Sequence, residues 1–119
     1  MYSATVLDHF EHPRNAGSLV DAQVTVEVAN PVCGDVLQLS ATAADGRISA
    51  VRFRARGCVT VMACASLLTE KITGKSRDEL SKMTPEQIST DLDGLPAATF
   101  HGAQLAVDGL TALLAKLNL

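Results

Sequence analysis

The chain has 119 residues, of which 47% are hydrophobic and 19% charged, and its formal net charge is −3. We therefore expect one domain, residues 1–119, with an aliphatic core, because only 3% of the residues are aromatic and none is tryptophan. The acidic balance argues against nucleic acid as the main partner, and no apolar run is long enough to span a bilayer. An odd number of cysteines, three, argues against a closed disulfide framework, so free thiols in the cytoplasm are expected.

A first short helix is predicted near the N-terminus. Ser3 has a side chain that can cap it, and Pro13 forbids its continuation beyond about His12. The apolar residues expected to form its buried face are Val6, Leu7 and Phe10. On this prediction His9 and His12 face solvent and are not metal ligands.

Three strands are predicted next, because apolar and polar residues alternate with a period of two. The three segments are residues 24–29, 37–42 and 51–56. Asp45 and Gly46 form a typical hairpin turn between the second and third segments. The short connections predict an antiparallel meander with one face towards solvent.

The third strand places Arg52, Arg54 and Arg56 on that solvent face. One interpretation is an ordinary solvated surface, with an arginine opposite Glu27 on a neighbouring strand. The other is a docking stripe for an acidic partner. The sequence leaves both open.

The rest of the chain is predicted to be helical. Apolar spacing indicates a helix from Cys58 to Gly74, and Ser76 and Thr84 each begin a capping pattern for a shorter helix. Leucine spacing predicts a long closing helix from about Phe100. The predicted fold class is α+β, a three-stranded antiparallel sheet with helices packed on one face, an N-terminal helix and a long C-terminal helix.

The segment Asn30–Asp35 places a thiol and a carboxylate in a loop just before the second strand. Pro31 restricts the backbone there and Gly34 permits angles that a side chain would forbid, so Cys33 and Asp35 are expected to be held in one place. Thiolates and carboxylates are ligands that zinc and iron accept. The alternative is a strand-connecting turn without a metal.

Two further side chains are expected at the same end of the sheet. Cys58 lies where the third strand ends, and antiparallel pairing brings that end beside Cys33. His101 opens the closing helix, which must lie over the sheet to bury its leucines. The predicted site is Cys33, Asp35, Cys58 and His101, a set that suits a tetrahedral zinc ion or an iron–sulfur cluster. The alternative for His101 is a surface position at a helix N-terminus.

Cys64 is expected to be a core residue rather than a ligand. Six residues of helix separate it from Cys58, an advance of about 9 Å, whereas two sulfurs on one zinc ion lie about 4 Å apart. The alternatives are a sulfur relay or a ligand in a rearranged state.

Taken together, these motifs resemble the IscU/NifU family of iron–sulfur cluster assembly scaffolds, over nearly the whole chain. The paired cysteine loops carry the resemblance, together with segments near the N-terminus and after Cys58. The segments concerned are Leu7–Phe10, Pro13–Asn15, Asn30–Asp35, Phe53–Cys58 and Ala63–Ser66.

The resemblance implies a scaffold rather than an enzyme. A cysteine desulfurase would deliver sulfur as persulfide, an iron donor would add iron, and a transient [2Fe–2S] cluster would pass to apo-proteins. Cys33 and Cys58 match cluster or zinc ligands, Asp35 matches the carboxylate that keeps the cluster labile, and His101 matches the histidine beside the third family cysteine. Zinc is expected in the isolated protein.

The chain departs from the family pattern at two places. Gly102 stands where the family has its third cysteine, the usual persulfide acceptor, so sulfur would be accepted by Cys33 or Cys58, with Cys64 as a substitute thiol. The chaperone-docking segment, Leu-Pro-Pro-Val-Lys in the family, is altered at Leu95–Thr99. This alteration leaves docking of the specialised chaperone open.

Two other functions remain open from the sequence. A divergent member of the family would bind zinc or iron and regulate or bind the desulfurase without building a cluster. An enzyme would use Cys58 as nucleophile and His101 as base, although no substrate pocket follows from the sequence.

Overall fold

The fold is α+β, as predicted, in a computed structural model that describes residues 2–119. The strands are β1 (Val24–Ala29), β2 (Val36–Ala44) and β3 (Arg47–Arg56). The helices are α1 (Ala4–Glu11), α2 (Val59–Ile72), α3 (Arg77–Leu80), α4 (Pro85–Asp91) and α5 (His101–Lys116), with a 3₁₀ turn at Ala97–Thr99. The strands form one antiparallel sheet in the order β1-β2-β3. Helices α2 and α5 pack on one face of it, α1 packs on α2, and α4 packs mainly on α5.

The register of the β2–β3 hairpin decides which residues meet at its open end. A register shift lies between Thr42 and Ala43, and beyond it Val36 pairs with Arg56. Equal distances from the turn predict the pairing of Asp35 with Arg56 instead, so the bulge moves the pairing by one residue. The ends of the two strands still lie side by side, which brings the segments around Cys33 and Cys58 to one edge of the molecule.

The core is aliphatic and lies between the sheet and helices α2 and α5. Its sheet side consists of residues that are at most 3% exposed, namely Leu37, Leu39, Ala41, Val51 and Phe53. Burying a leucine or phenylalanine side chain contributes about 1.5–3 kcal/mol, so this layer fixes how α5 lies over the sheet. Within residues 2–119, no helix has the length and apolar character needed to cross a membrane.

Three of the predicted helix starts are confirmed. The side chain of Ser3 accepts a hydrogen bond of 3.0 Å from the amide of Val6. Ser76 and Glu79 form a complete capping box, and Thr84 caps α4. These short polar side chains satisfy amides that have no partner within their own helix.

Helix α1 buries a different face from the predicted one. Val6 and His9 are 0% and 4% exposed, whereas Leu7 and Phe10 are 40% and 41% exposed. The interpretation of His9 as solvent-facing is therefore wrong, while His12 is exposed as expected. The pattern misled because a histidine that is hydrogen-bonded in a core looks polar in a hydrophobicity count.

His9 joins α1 to α2 through a buried hydrogen-bond network. Its Nδ1 lies 2.8 Å from Oγ of Ser66, which also accepts a 2.9 Å hydrogen bond from the amide of Arg14. Its Nε2 lies 3.6 Å from a carboxylate oxygen of Glu70. Burial and the nearby charge of Arg14 lower the pKa of His9, against the opposing effect of Glu70. His9 is therefore neutral in the folded protein at pH 7.

We expect the free energy of unfolding to fall as the pH drops below about 6.5, the ordinary pKa of histidine. The unfolded chain protonates His9 in that range and the folded chain does not, so the unfolded state is favoured. Denaturant titrations at a series of pH values should show a flatter dependence for His9→Asn than for the unmodified protein. The exposed His12, changed to Asn, is the matched control and should leave the slope unaltered. Equal slopes for all three proteins would refute the buried neutral histidine.

Candidate metal centre

Hydrogen bonds made by Asn30 hold the loop before β2 in place. The carbonyl of Asn30 accepts from the amide of Gly34, and the amide of Asn30 donates to the carbonyl of Asp35, both at 2.8 Å. The side-chain oxygen of Asn30 accepts from the amide of Val32 at 2.9 Å. Gly34 has φ +76°, in the left-handed region that favours glycine. The loop therefore presents Cys33 in one fixed position.

Three of the four predicted ligands lie together. The thiol of Cys33 donates to Oδ2 of Asp35 over 3.2 Å, and Nε2 of His101 lies 3.1 Å from the same oxygen. One ligand atom from each of these residues lies within 4.8 Å of the other two. Cys33 is exposed, Asp35 is buried and His101 is partly buried. A thiol, a carboxylate and an imidazole at this spacing are ligands that zinc and iron accept.

Helix α5 brings His101 to the end of the sheet because two of its glycines allow close packing. A Cβ atom on Gly109 would lie 3.1 Å from side chains of Leu37 and Leu39 in β2. A Cβ atom on Gly102 would lie 2.9 Å from Cγ2 of Thr60 in α2. Both helical glycines therefore sit where a side chain would crowd the neighbours of α5. The sequence reasoning missed this role, although an isolated glycine within a helical pattern is a known sign of tight packing.

Cys58 lies beside this group but is not part of it. It is the N-cap residue of α2, half-buried, and its side chain makes no capping hydrogen bond. The preceding residue, Gly57, is pressed against Asp35, since a Cβ atom there would lie 2.7 Å from Oδ1 of that carboxylate. This contact is not evident from the residues around Gly57 alone. Cys58 thus directly follows, along the chain, the residue that contacts Asp35.

Cys64 is a core residue, as expected. It is 0% exposed, and burial, together with the charge of Cys58, raises the pKa of its thiol to about 12. A thiol that stays protonated is neither a nucleophile nor a ready metal ligand. Cys64 therefore packs as a small apolar side chain.

Comparison with known proteins identifies the family. The model of the family described as NifU-like N terminal domain matches residues 1–118 of this chain. The chain belongs to that family. The resemblance predicted from the two cysteine loops is therefore confirmed.

Among curated relatives of this NifU-like domain is the iron-sulfur cluster assembly scaffold protein IscU of Haemophilus influenzae. It is 42% identical over 118 residues, which cover 96% of this chain and 93% of that protein. A scaffold protein of the same name from Archaeoglobus fulgidus is 40% identical over 110 residues, 92% of this chain and 72% of that protein. The Drosophila melanogaster relative, 40% identical over 97% of this chain and 77% of its own length, is called an assembly enzyme.

Solved structures share the fold of this NifU-like domain. A putative iron-sulfur cluster assembly scaffold protein for the SUF system, from Fervidobacterium islandicum, superposes with a TM-score of 0.69. It covers 97% of this chain and 95% of its own, at 20% sequence identity. At this level of identity the likeness establishes the architecture.

Proposed function

We propose that this protein is a scaffold on which an iron–sulfur cluster is assembled and then passed on. The observation that carries the proposal is the group of Cys33, Asp35 and His101, whose ligand atoms lie within 4.8 Å of one another at the open end of the hairpin. Support comes from relatives about 40% identical over most of the chain that are named as such scaffolds. The cluster is cargo here, so the protein holds and releases it and need not transform it.

The chemistry of the ligand set suits temporary binding. Soft thiolates favour iron–sulfur clusters, whereas carboxylates favour harder ions, so Asp35 would hold cluster iron less firmly than a third thiolate. Cys33 is exposed, and a cleft of about 220 Å³ adjoins His101 between the loop and α5. A partner can therefore reach the ligands without unfolding the core. A [2Fe–2S] cluster is the type that we assign to this site.

Cys58 would complete the ligand set. It is the N-cap residue of α2, at the end of the helix where backbone amides have no partner within the helix. It lies outside the group of three whose ligand atoms are within 4.8 Å of one another. In the absence of a cluster, zinc bound by Cys33, Asp35, His101 and Cys58 would hold the loop and the start of α5 together.

The scaffold role implies partners by chemical class. Sulfur would come from a cysteine desulfurase as a persulfide, iron from an iron donor, and the cluster would go to apo-proteins, all in the cytoplasm. Of the three cysteines, Cys33 is exposed, Cys58 half-buried and Cys64 buried. A protein sulfur donor can therefore reach Cys33 or Cys58, whereas it cannot reach the buried Cys64.

Anaerobic reconstitution tests the proposal. The purified protein is incubated with a cysteine desulfurase, cysteine and ferrous iron, and the visible absorption of a cluster is followed. We expect a cluster to form and then to pass to an added apo-ferredoxin. If no cluster forms and one equivalent of zinc stays bound, the protein is a metal-binding relative that does not assemble clusters, and the proposal fails.

A further inference from the structure

Three arginines on β3 form no ion pair within the described part of the chain. Arg52, Arg54 and Arg56 are exposed, and no carboxylate within residues 2–119 forms an ion pair with any of them. The other three arginines of the chain are all held in place. The guanidinium groups of Arg14 and Arg47 pair with acids, and that of Arg77 donates to two backbone carbonyls of the C-terminal region.

Glu27 lies in the same row across the sheet as Arg54, with Gln38 between them. Glu27 of β1 faces Gln38 of β2, and Gln38 in turn faces Arg54 of β3. The backbones of Glu27 and Arg54 are therefore two strands apart, about 9–10 Å across the sheet. The arginines are exposed, as a solvated face requires, and within residues 2–119 none of them forms the expected ion pair with Glu27.

A shallow groove of about 370 Å³ lies on the same face. Its lining contains one carboxylate and two guanidinium groups, and the residues are Glu27, Val36, Gln38, Arg54, Ala55 and Arg56. Val36 directly follows Asp35, and Arg56 directly precedes Gly57. The groove therefore ends beside the metal centre, on the side of the sheet that the helices leave open.

The spacing of the arginines indicates what would fit. Alternate residues of a strand point to the same face and are about 6.5–7 Å apart. An extended chain with carboxylates at every second residue repeats at the same distance, so each carboxylate can meet one guanidinium. Arginine binds carboxylates through two parallel hydrogen bonds. The three arginines are therefore better matched to a ligand with separate, regularly spaced carboxylates than to one whose negative charge is spread over many atoms. Nucleic acid is disfavoured because the chain as a whole carries a net charge of −3.

We propose that this surface, the arginine face (Arg52, Arg54, Arg56 and the groove), docks an extended acidic segment of a partner protein. The segment carries Asp or Glu at alternate positions and lies along β3. Its docking brings the partner to the end of the sheet that holds Cys33, Asp35 and His101. The inference rests on charge and register and does not depend on what the metal centre holds.

A peptide-binding measurement tests this docking. The probe is a fluorescent peptide of alternating Thr and Glu, and its binding is followed by anisotropy over a salt series. The comparison peptide has the same composition with its glutamates in one block. We expect the alternating peptide to bind more tightly, with an affinity that falls as salt rises.

The decisive variant is the triple change Arg52→Glu, Arg54→Glu and Arg56→Glu. We expect it to lower affinity for the alternating peptide at least about tenfold, because charge reversal converts attraction into repulsion. Its matched control is the triple change Lys75→Glu, Lys82→Glu and Lys116→Glu. The control has the same net charge, its positions are exposed and lie off the arginine face, and it should retain binding.

Three outcomes would overturn the proposal. If both triple variants lost the same affinity for the alternating peptide, only the net charge of the protein would matter. If the two peptides bound equally well, the spacing of the glutamates would not matter. Tighter binding of a duplex or single-stranded oligonucleotide than of the alternating peptide, lost in the arginine variant alone, would assign the face to nucleic acid. Because the peptide assay involves no metal or cluster, its result is separate from that of the reconstitution experiment.

Discussion

Replacing Cys33 by serine is expected to lower the affinity for zinc about 100-fold or more. Protein sites of this kind bind zinc with about 10–16 kcal/mol, so each of three or four ligands accounts for several kcal/mol. Serine keeps the size of the side chain but removes the thiolate, and the other two members of the group, Asp35 and His101, cannot replace it. The affinity is measured by competition with a chromophoric chelator.

The matched control for this variant is Cys64→Ala. It also removes one thiol, but this thiol lies in the core, because Cys64 is 0% exposed. We expect it to cost about 1–2 kcal/mol of stability as a small cavity, with zinc affinity unchanged. If Cys64→Ala lost zinc and Cys33→Ser retained it, the assignment of the site to the loop and α5 would be wrong.

Replacing Gly102 by cysteine, which restores the family residue, is expected to destabilise the protein. The new Cβ would lie 2.9 Å from Cγ2 of Thr60 and 3.3 Å from backbone atoms of Thr60 and Val61. Forcing a side chain into such a contact typically costs about 1–3 kcal/mol. The gain in helix propensity over glycine is only a few tenths of a kcal/mol, so the clash prevails.

Chemical denaturation measures this cost, and two variants identify its cause. Gly102→Ala should lose less stability than Gly102→Cys, because the clash begins at Cβ in both but alanine gains about 1 kcal/mol of helix propensity over glycine. Adding Thr60→Ser to Gly102→Cys removes Cγ2 and should restore part of the lost stability. The exposed change Ala115→Cys, on the outer side of the same helix, should cost little. A fully stable Gly102→Cys protein would show that α5 and α2 are not as tightly packed as described.

The clash also bears on sulfur chemistry. A simple restoration of the third cysteine moves the start of α5, and with it His101, away from Thr60. A change in cluster yield in that variant could not be attributed to the new thiol alone, because His101 would be displaced as well. The double variant with Thr60→Ser is therefore the proper test of whether a thiol at position 102 increases cluster assembly.

Much of the fold could be predicted from the sequence because it depends on local patterns. Alternation along β2 and β3, the capping residues Ser76 and Thr84, and the leucine spacing of α5 all act over a few residues. The convergence of Cys33 and Asp35 with His101 could also be predicted, since register and helix placement follow from burial of one sheet face.

The remaining features depend on contacts between distant segments. Burial of His9 requires Ser66 and Glu70, which lie in a helix more than fifty residues further along the chain. The bulge near Thr42 shifts the hairpin by one residue without a sequence signal that we recognised. The tight contact of Gly57 with Asp35 also depends on distant segments. A glycine in a sequence does not show which neighbouring side chain leaves no room for a Cβ atom.

We infer that one thiolate from the loop before β2 and one imidazole from the start of α5 share a metal ion. X-ray absorption spectroscopy at the zinc edge of the zinc-loaded protein can detect both ligands. We predict sulfur scattering at about 2.3 Å together with an imidazole shell at about 2.0 Å, and loss of imidazole scattering in His101→Ala. A first shell of oxygen alone, or an unchanged imidazole shell in that variant, would contradict the account.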